Sequence, residues 1–481
     1  MIMKRFETSV LDFFLCVVKT TWKNDEIWYN HNKRKRKNME IQGEIYFDSV
    51  HIPYRFDEES GKLTMYFGLQ FIECESSPQK LTGNSLGKGI LFFLSVPLSS
   101  ENLGIKSDKN ILCGTITVEV KFYIEDFDQN IKYNTMYFEF RELDNLLPSK
   151  NAAIYDANTK QWKFENQCIK DFDFIVMQNN VKFELFNSYS IGGNLAYDIK
   201  TKSYIKLSFL STDDFSFLTT LFIKIKELFM LIYNRQNINL FSVDLFGLAE
   251  QVSKSGLQTA GSKQRMHFIE MHSEQPEKEV DLKKQSIRYN TLSSHFIELF
   301  EMVLKDEVLV YNLHASLKAK SLIDLKQSIQ ITSSFEHYQR AFTPAISSDD
   351  SVEMYSRIQQ LVLEEAKKYT GKNKKTIENI AKRIAPTLSL KDMLCKVYNG
   401  YKEWRGLALI LDERFEGRVP QLAQTINDWR NELAHAKCMF VPTQDVIAAV
   451  RLLECVNYCI ILRQAGYSDM EIKIYIEDTI L

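Results

Sequence analysis

The chain has 481 residues, 45% of them hydrophobic and 25% charged, with a formal net charge of −2. That length supports about two to four domains, each with its own core, and the composition is that of a soluble globular protein. The near-neutral balance argues against a generally basic, histone-like nucleic-acid binder, although a local basic patch still suffices for phosphate contacts.

Residues 9–18 are apolar but interrupted by Asp12, too short to span a bilayer and without a small-residue cleavage site. A basic run, Lys33-Arg34-Lys35-Arg36-Lys37, and then Met39 follow. Residues 1–39 are therefore expected to be a poorly ordered leader, with translation from Met39 as an alternative. Eight cysteines are scattered without a Cys-x-x-Cys pair, the usage of a reducing, cytoplasmic compartment. Cys455 and Cys459 share a helical face with Leu452, Val456 and Ile460, which predicts core packing rather than metal ligation.

From residue 40 to 210 the hydrophobic period is two: Lys62-Leu63-Thr64-Met65-Tyr66-Phe67 alternates, as do residues 115–123, 135–143, 181–186 and 204–209. Glycines punctuate these runs, which together read as an antiparallel sandwich or barrel-like β domain. Gly83-Asn84-Ser85-Leu86-Gly87-Lys88-Gly89 invites comparison with a phosphate loop. Its spacing is wrong and a strand follows, so a hairpin turn is the better reading.

A helix is predicted over residues 213–234, with Asp213 and Asp214 in its first turn, and a strand near 240–248. The polar Gly/Ser/Lys-rich stretch 251–264 reads as an exposed loop. His267 and His272 fall on opposite faces of a strand, so joint metal ligation is disfavoured. Residues 274–284 are the expected linker.

From residue 291 onward the period is helical. Leu317, Leu322, Leu325, Ile329 and Phe335 are expected core in one helix, and Met354, Ile358, Leu361 and Val362 in the next. The densest basic patch of this half includes Tyr369, Lys372, Lys374 and Lys375. It suits RNA-backbone contact with base stacking on Tyr369, or an ordinary solvated turn between helices. Further helices are expected over 390–411, 420–437, 443–462 and 468–480.

Within the 420–437 helix, Leu422, Ile426, Trp429 and Leu433 form an apolar stripe, with Arg430, Asn431 and His435 off it. Histidine as a residue type exchanges protons near neutrality, and arginine presents a charged fork matched to phosphate. Asn431, four residues before His435, is placed to hold its ring. The trio suits metal-independent phosphodiester cleavage: His435 moves the proton of a ribose 2′-hydroxyl or of the leaving oxygen, and Arg430 steadies the phosphate. Five residues separate Arg430 from His435, about 140° around a straight helix. Convergence thus needs a bend, a helix end or a second copy of the chain. The rival reading is a helix end, with His435 favoured by the dipole and Arg430 in a surface ion pair.

Arg430-Asn431-x-x-x-His435, late in a helical C-terminal region, resembles the motif of the HEPN ribonuclease superfamily, and among its members the ApeA-like anti-phage proteins. Ser334-Phe335-Glu336-His337-Tyr338-Gln339-Arg340 is similar to the first HEPN helix, where an acidic residue precedes an aromatic one. The similarity covers roughly residues 306–481. It implies an α+β protein: a β-rich antiparallel N-terminal sensing domain over residues 40–285, then an all-α HEPN domain over 286–481. It further implies a metal-independent endoribonuclease without cofactor, paired through its HEPN domains. Such an enzyme cuts host RNA, with tRNA among the candidates, in abortive infection after a phage-derived trigger reaches the N-terminal domain. Arg430, Asn431, His435 and, as the partner of Arg430, Glu336 would be its catalytic residues. A non-catalytic module that binds RNA or a protein partner is the alternative. No membrane association is expected.

Overall fold

The computed structural model describes residues 40–47, 50–73, 78–98, 111–147, 153–156, 161–164, 167–191, 199–236, 238–253, 256–269, 287, 289–313, 325–342, 349–383, 389–402, 417–434 and 443–479. The expected leader and the 274–284 linker lie outside them. Strands come first: β1 (Glu40–Phe47), β2 (Val50–Asp57), β3 (Lys62–Glu73), β4 (Lys80–Ser85), β5 (Lys88–Leu94), β6 (Ile111–Glu125) and β7 (Ile131–Phe138). After helix α1 (Arg141–Leu146) come β8 (Ala153–Asp156), β9 (Gln161–Phe164), β10 (Gln167–Val176), β11 (Asn179–Ile191) and β12 (Ile199–Thr212). Helix α2 (Phe215–Tyr233) precedes β13 (Ser242–Ser253) and β14 (Gly256–Phe268). The remainder is helical: α3 (Tyr289–Leu292), α4 (Phe296–Leu304), α5 (Leu325–Phe342), α6 (Asp349–Ala366), α7 (Gly371–Arg383), α8 (Leu390–Lys402), α9 (Val419–Ala434), α10 (Gln444–Gln464) and α11 (Asp469–Thr479). The chain is thus α+β, with a β-barrel region early and a helical region late. No helix among the described residues is long and apolar enough to cross a membrane.

Two compact units emerge, one drawn from residues 1–136, 211–213 and 241–272, the other from 137–210, 214–240 and 273–481. In the first, β1 pairs with β2, β2 with β3 and β3 with β6, while β1 also pairs with β4, β4 with β5 and β5 with β6. All these pairings are antiparallel and return to their starting strand, which closes a barrel and removes its edges. Alternate residues point inward, so Ile45, Ile52, Phe56, Leu63, Met65, Ile90, Phe92 and Val120 fill the interior. The Gly83–Gly89 stretch is the β4–β5 hairpin. Leu86 and Gly87 both take positive φ (51° and 82°), as a two-residue hairpin turn of this hand requires, and Gly87 donates its N–H to Asn84 Oδ1 at 2.8 Å.

The stretch 251–264, read from sequence as an exposed loop, is instead the end of β13 and most of β14, paired from Ser242↔His267 to Ser253↔Gly256. Its alternation is real but written in polar letters: Gln264 and Met266 are buried while Lys263 and Arg265 are exposed. The buried Gln264 accepts a hydrogen bond from the Tyr133 hydroxyl at its amide oxygen.

The second unit is organised around α2 and α10. Asp214 caps α2, its side chain accepting from Ser216 and Phe217 N–H, and Asn234 ends it in the left-handed region. Strands β10, β11 and β12 form an antiparallel meander whose Phe172, Phe174 and Phe183 meet Phe296 and Phe300 of α4. Residues 137–210 and 214–240, which periodicity groups with the β-rich half, therefore lie with the helices. Helix α10 is buried almost all round, from Val446 to Leu462. Its Val446, Val450, Leu453, Val456 and Ile460 are core within the single chain. Two of its buried polar side chains reach other elements: Asn234 Nδ2 donates to Glu454 Oε1 at 2.5 Å, and Asn457 Nδ2 to the Ile331 carbonyl at 3.4 Å. The Tyr458 and Tyr475 hydroxyls donate to the Leu231 carbonyl at 3.0 and 2.7 Å, satisfying the C-terminal end of α2. Cys455 and Cys459 are buried in this helix, where their spacing put them.

Barrel closure relies on β1 and β4 running close at Gly43, where a Cβ would collide with the Asn84 backbone carbonyl. Gly43→Val is expected to lower stability by about 1–3 kcal/mol. Denaturant unfolding checks this, and an unchanged midpoint contradicts it.

Candidate active site

Helix α5 buries Ile331, Phe335 and Tyr338 and leaves the opposite side to solvent. Tyr338 is anchored further: its hydroxyl accepts the Leu309 N–H at 2.8 Å, and burial holds its phenol well above the usual range. Ser333, His337, Arg340 and Ala341 recur at helical spacing on the outer side, and with Glu336 they line a cavity of about 350 Å³.

Helix α9 is fixed by the predicted stripe: Leu422 and Ile426 are fully buried and Trp429 is 6% exposed. Pro420 lies in the first turn, where its missing N–H costs nothing. Helices α5, α8, α9 and α10 pack against one another. That packing brings Arg430 to Glu336, Nη2 to Oε1 at 2.8 Å. A second guanidinium, that of Arg340, stands 3.9 Å from the other carboxylate oxygen of Glu336. Glu336 is thus set between two fixed positive charges. Its side chain is 17% exposed, against 38% for Arg430 and 74% for Arg340. Both arginines keep donors near solvent, where a phosphate can reach them.

The structure brings Glu336 and Arg430 together and leaves Asn431 exposed, next to Arg430 on α9. His435 follows the last residue of α9 and lies outside the described residues. Lys372, Lys374 and Lys375 are exposed in the first turn of α7, and Tyr369 is exposed just before it. The three lysines are therefore on a helix rather than in a turn, and neither they nor Tyr369 line the Glu336 cavity. Lysines are electrostatically disfavoured at a helix N-terminus, so a bound anion would relieve them.

Sequence reasoning assigned no role to His337 or Arg340. The available signal was the polar stripe at spacings of three and four, opposite Ile331, Phe335 and Tyr338. Two core expectations are corrected here. Met354, Ile358 and Leu361 are 51%, 39% and 59% exposed, and Ile329 is 43% exposed. Periodicity tells which residues share a helix face and not whether that face is covered. Helix α6 meets α7 near Ala366 and Ala381 instead, with Gln359 Nε2 donating to the Ala381 carbonyl at 3.2 Å.

No protein-family model, curated protein or solved structure matches the chain.

The scaffold and the ion pair separate energetically. Phe335→Ala is expected to cost about 3–5 kcal/mol because it hollows the α5 core. Arg430→Ala removes a part-exposed pair and is expected to cost only about 1 kcal/mol. Denaturant unfolding of both variants checks the contrast, and equal losses contradict it.

Proposed function

We propose that this protein is a metal-independent endoribonuclease of the HEPN type, acting in anti-phage defence by abortive infection. The observation that carries the reading is the 2.8 Å pair between Arg430 and Glu336. Two segments far apart in sequence, each picked out by a partial motif, share one carboxylate–guanidinium contact beside a cavity.

In this reading Arg430 binds the scissile phosphate and Glu336 sets the direction of its guanidinium. His435 transfers a proton, and Asn431 orients it. Two copies pair through their helical regions, which answers the roughly 140° separation of Arg430 and His435 on a straight helix. The substrate is cellular RNA, tRNA among the candidates, and the β-rich region receives the phage-derived trigger. The second reading is a HEPN module that binds RNA or a protein without cutting. The exposed Lys372, Lys374 and Lys375 favour it, because they supply binding without chemistry.

The test is incubation of purified protein with cellular RNA in EDTA. Cleavage is expected from the natural chain, with losses of about 10²–10⁴-fold in His435→Ala and Arg430→Ala. Cleavage unchanged in His435→Ala removes that residue from the mechanism, and RNA retention without cleavage supports the binding module. Replacing Lys372, Lys374 and Lys375 together with Gln is expected to weaken RNA binding and reduce the salt slope by about 2. Filter binding across a salt series measures it, and an unaltered slope contradicts a role for the patch.

A further inference from the structure

A nucleic-acid strand carries one phosphate charge for roughly every 3.4 Å along its axis, so a gripped phosphate always has charged neighbours. What holds those neighbours decides whether a site selects a continuous strand or only the reacting linkage. In the reading above Arg430 takes the scissile phosphate, and no residue is assigned to the phosphate beside it.

The Glu336 cavity supplies a second cation. It is lined by Ser333, Glu336, His337, Arg340 and Ala341. Glu336 is the one carboxylate in that lining, and Arg430 Nη2 engages its Oε1 at 2.8 Å. Arg340 Nη2 stands 3.9 Å from Oε2, beyond hydrogen-bond distance. Glu336 therefore attracts this guanidinium without taking up its donors. An exposed pair at the same i,i+4 spacing elsewhere in the chain does close: Lys305 Nζ reaches Glu301 Oε2 at 3.0 Å. Here the carboxylate is occupied by a residue from another helix, and Arg340 stays short of it. Two guanidiniums against one carboxylate leave an excess of one positive charge. One carboxylate's width and the two contacts bound their separation, which is the scale of a single nucleotide step. The rest of the wall suits an incoming strand, since Ser333 and Ala341 are small and bring no negative charge.

We propose that Arg340 binds the phosphate one step from the scissile one, an inference that rests on the ribonuclease reading. The substrate it selects is a strand with consecutive phosphates, laid from Arg430 on α9 onto the outer side of α5. Arg340 takes no part in bond making or breaking. It donates to a phosphate whose own linkage stays intact, while Glu336 offsets the repulsion between the two guanidiniums.

The experiment pairs a charge deletion in the protein with one in the RNA, both read by cleavage of one defined RNA in EDTA. A 2′-O-methyl methylphosphonate linkage neutralises the phosphate on one side or the other of the mapped cut. The same RNA carrying the 2′-O-methyl group alone is the control. In the natural chain, neutralising one of the two flanking phosphates is expected to lower kcat/KM by about 10-fold. Arg340→Gln should lose about as much on unmodified RNA and nothing further on that modified RNA. Arg340→Lys should recover part of the loss, because it restores the charge without the fork. A merely structural role gives no such dependence on a single phosphate. Full activity of Arg340→Gln on unmodified RNA overturns the assignment and leaves the nuclease reading intact. So does a natural chain indifferent to both flanking phosphates, or losses that multiply at both flanks. Absence of cleavage by the natural chain overturns both.

Discussion

The contact on which the candidate site depends is the ion pair that ties α5 to α9 through Glu336 and Arg430. Its free-energy contribution is small, because both partners retain some contact with water. What matters is direction. A guanidinium on an unconstrained surface helix samples many rotamers, whereas one held by a nearly buried carboxylate presents its remaining donors along a defined line. The pair exists because two apolar stripes are each buried against a common core. Ile331, Phe335 and Tyr338 set the rotation of α5, and Leu422, Ile426 and Trp429 set that of α9. Helix α10, buried on nearly every side, is the surface against which both are registered.

The polar groups inside this core follow the same logic. Tyr458 and Tyr475 converge on the Leu231 carbonyl, and Glu454 accepts from Asn234, so the buried end of α2 has its hydrogen-bonding capacity met by α10 and α11. These bonds join segments more than two hundred residues apart in sequence. They fix α10 and α11 against the end of α2 within the second unit. Glu336, His337 and Arg340 occupy the outer side of α5. Chemistry-bearing residues gathered on the solvent face of a helix whose other face is locked are positioned without being consumed by packing.

How much of this was legible beforehand varied with the range of the interaction. Local signals read well. The helix starting beside Asp213 and Asp214, the Gly83–Gly89 hairpin and the Leu422/Ile426/Trp429 stripe follow from neighbours in sequence, and the structure has them there, with Asp214 as the helix cap. Non-local pairing did not read. Nothing in β1 alone says that it meets β4, or in β5 that it meets β6, and those two pairings turn alternating strands into a closed barrel. The β13–β14 hairpin escaped because Gln264 is buried by pairing with Tyr133, a partner more than a hundred residues away. Met354, Ile358 and Leu361 misled for the converse reason, since a regular apolar face need not be covered within one chain. The Arg430–Glu336 contact joins residues of the two motifs singled out from sequence, while His337 lay inside one of those motifs with no role assigned. Only the cavity shows that it shares a wall with Glu336.

The central claim is that this site acts on the ribose 2′-hydroxyl and its adjacent phosphate. The measurement that bears on it most directly places a single 2′-deoxy nucleotide at the mapped cut position of a defined RNA and analyses the chemical nature of the ends. The account predicts that the substitution blocks cutting at that position, and that the unmodified RNA yields 2′,3′-cyclic phosphate and 5′-hydroxyl ends. Cutting that ignores the missing hydroxyl and leaves 3′-hydroxyl and 5′-phosphate ends would contradict it.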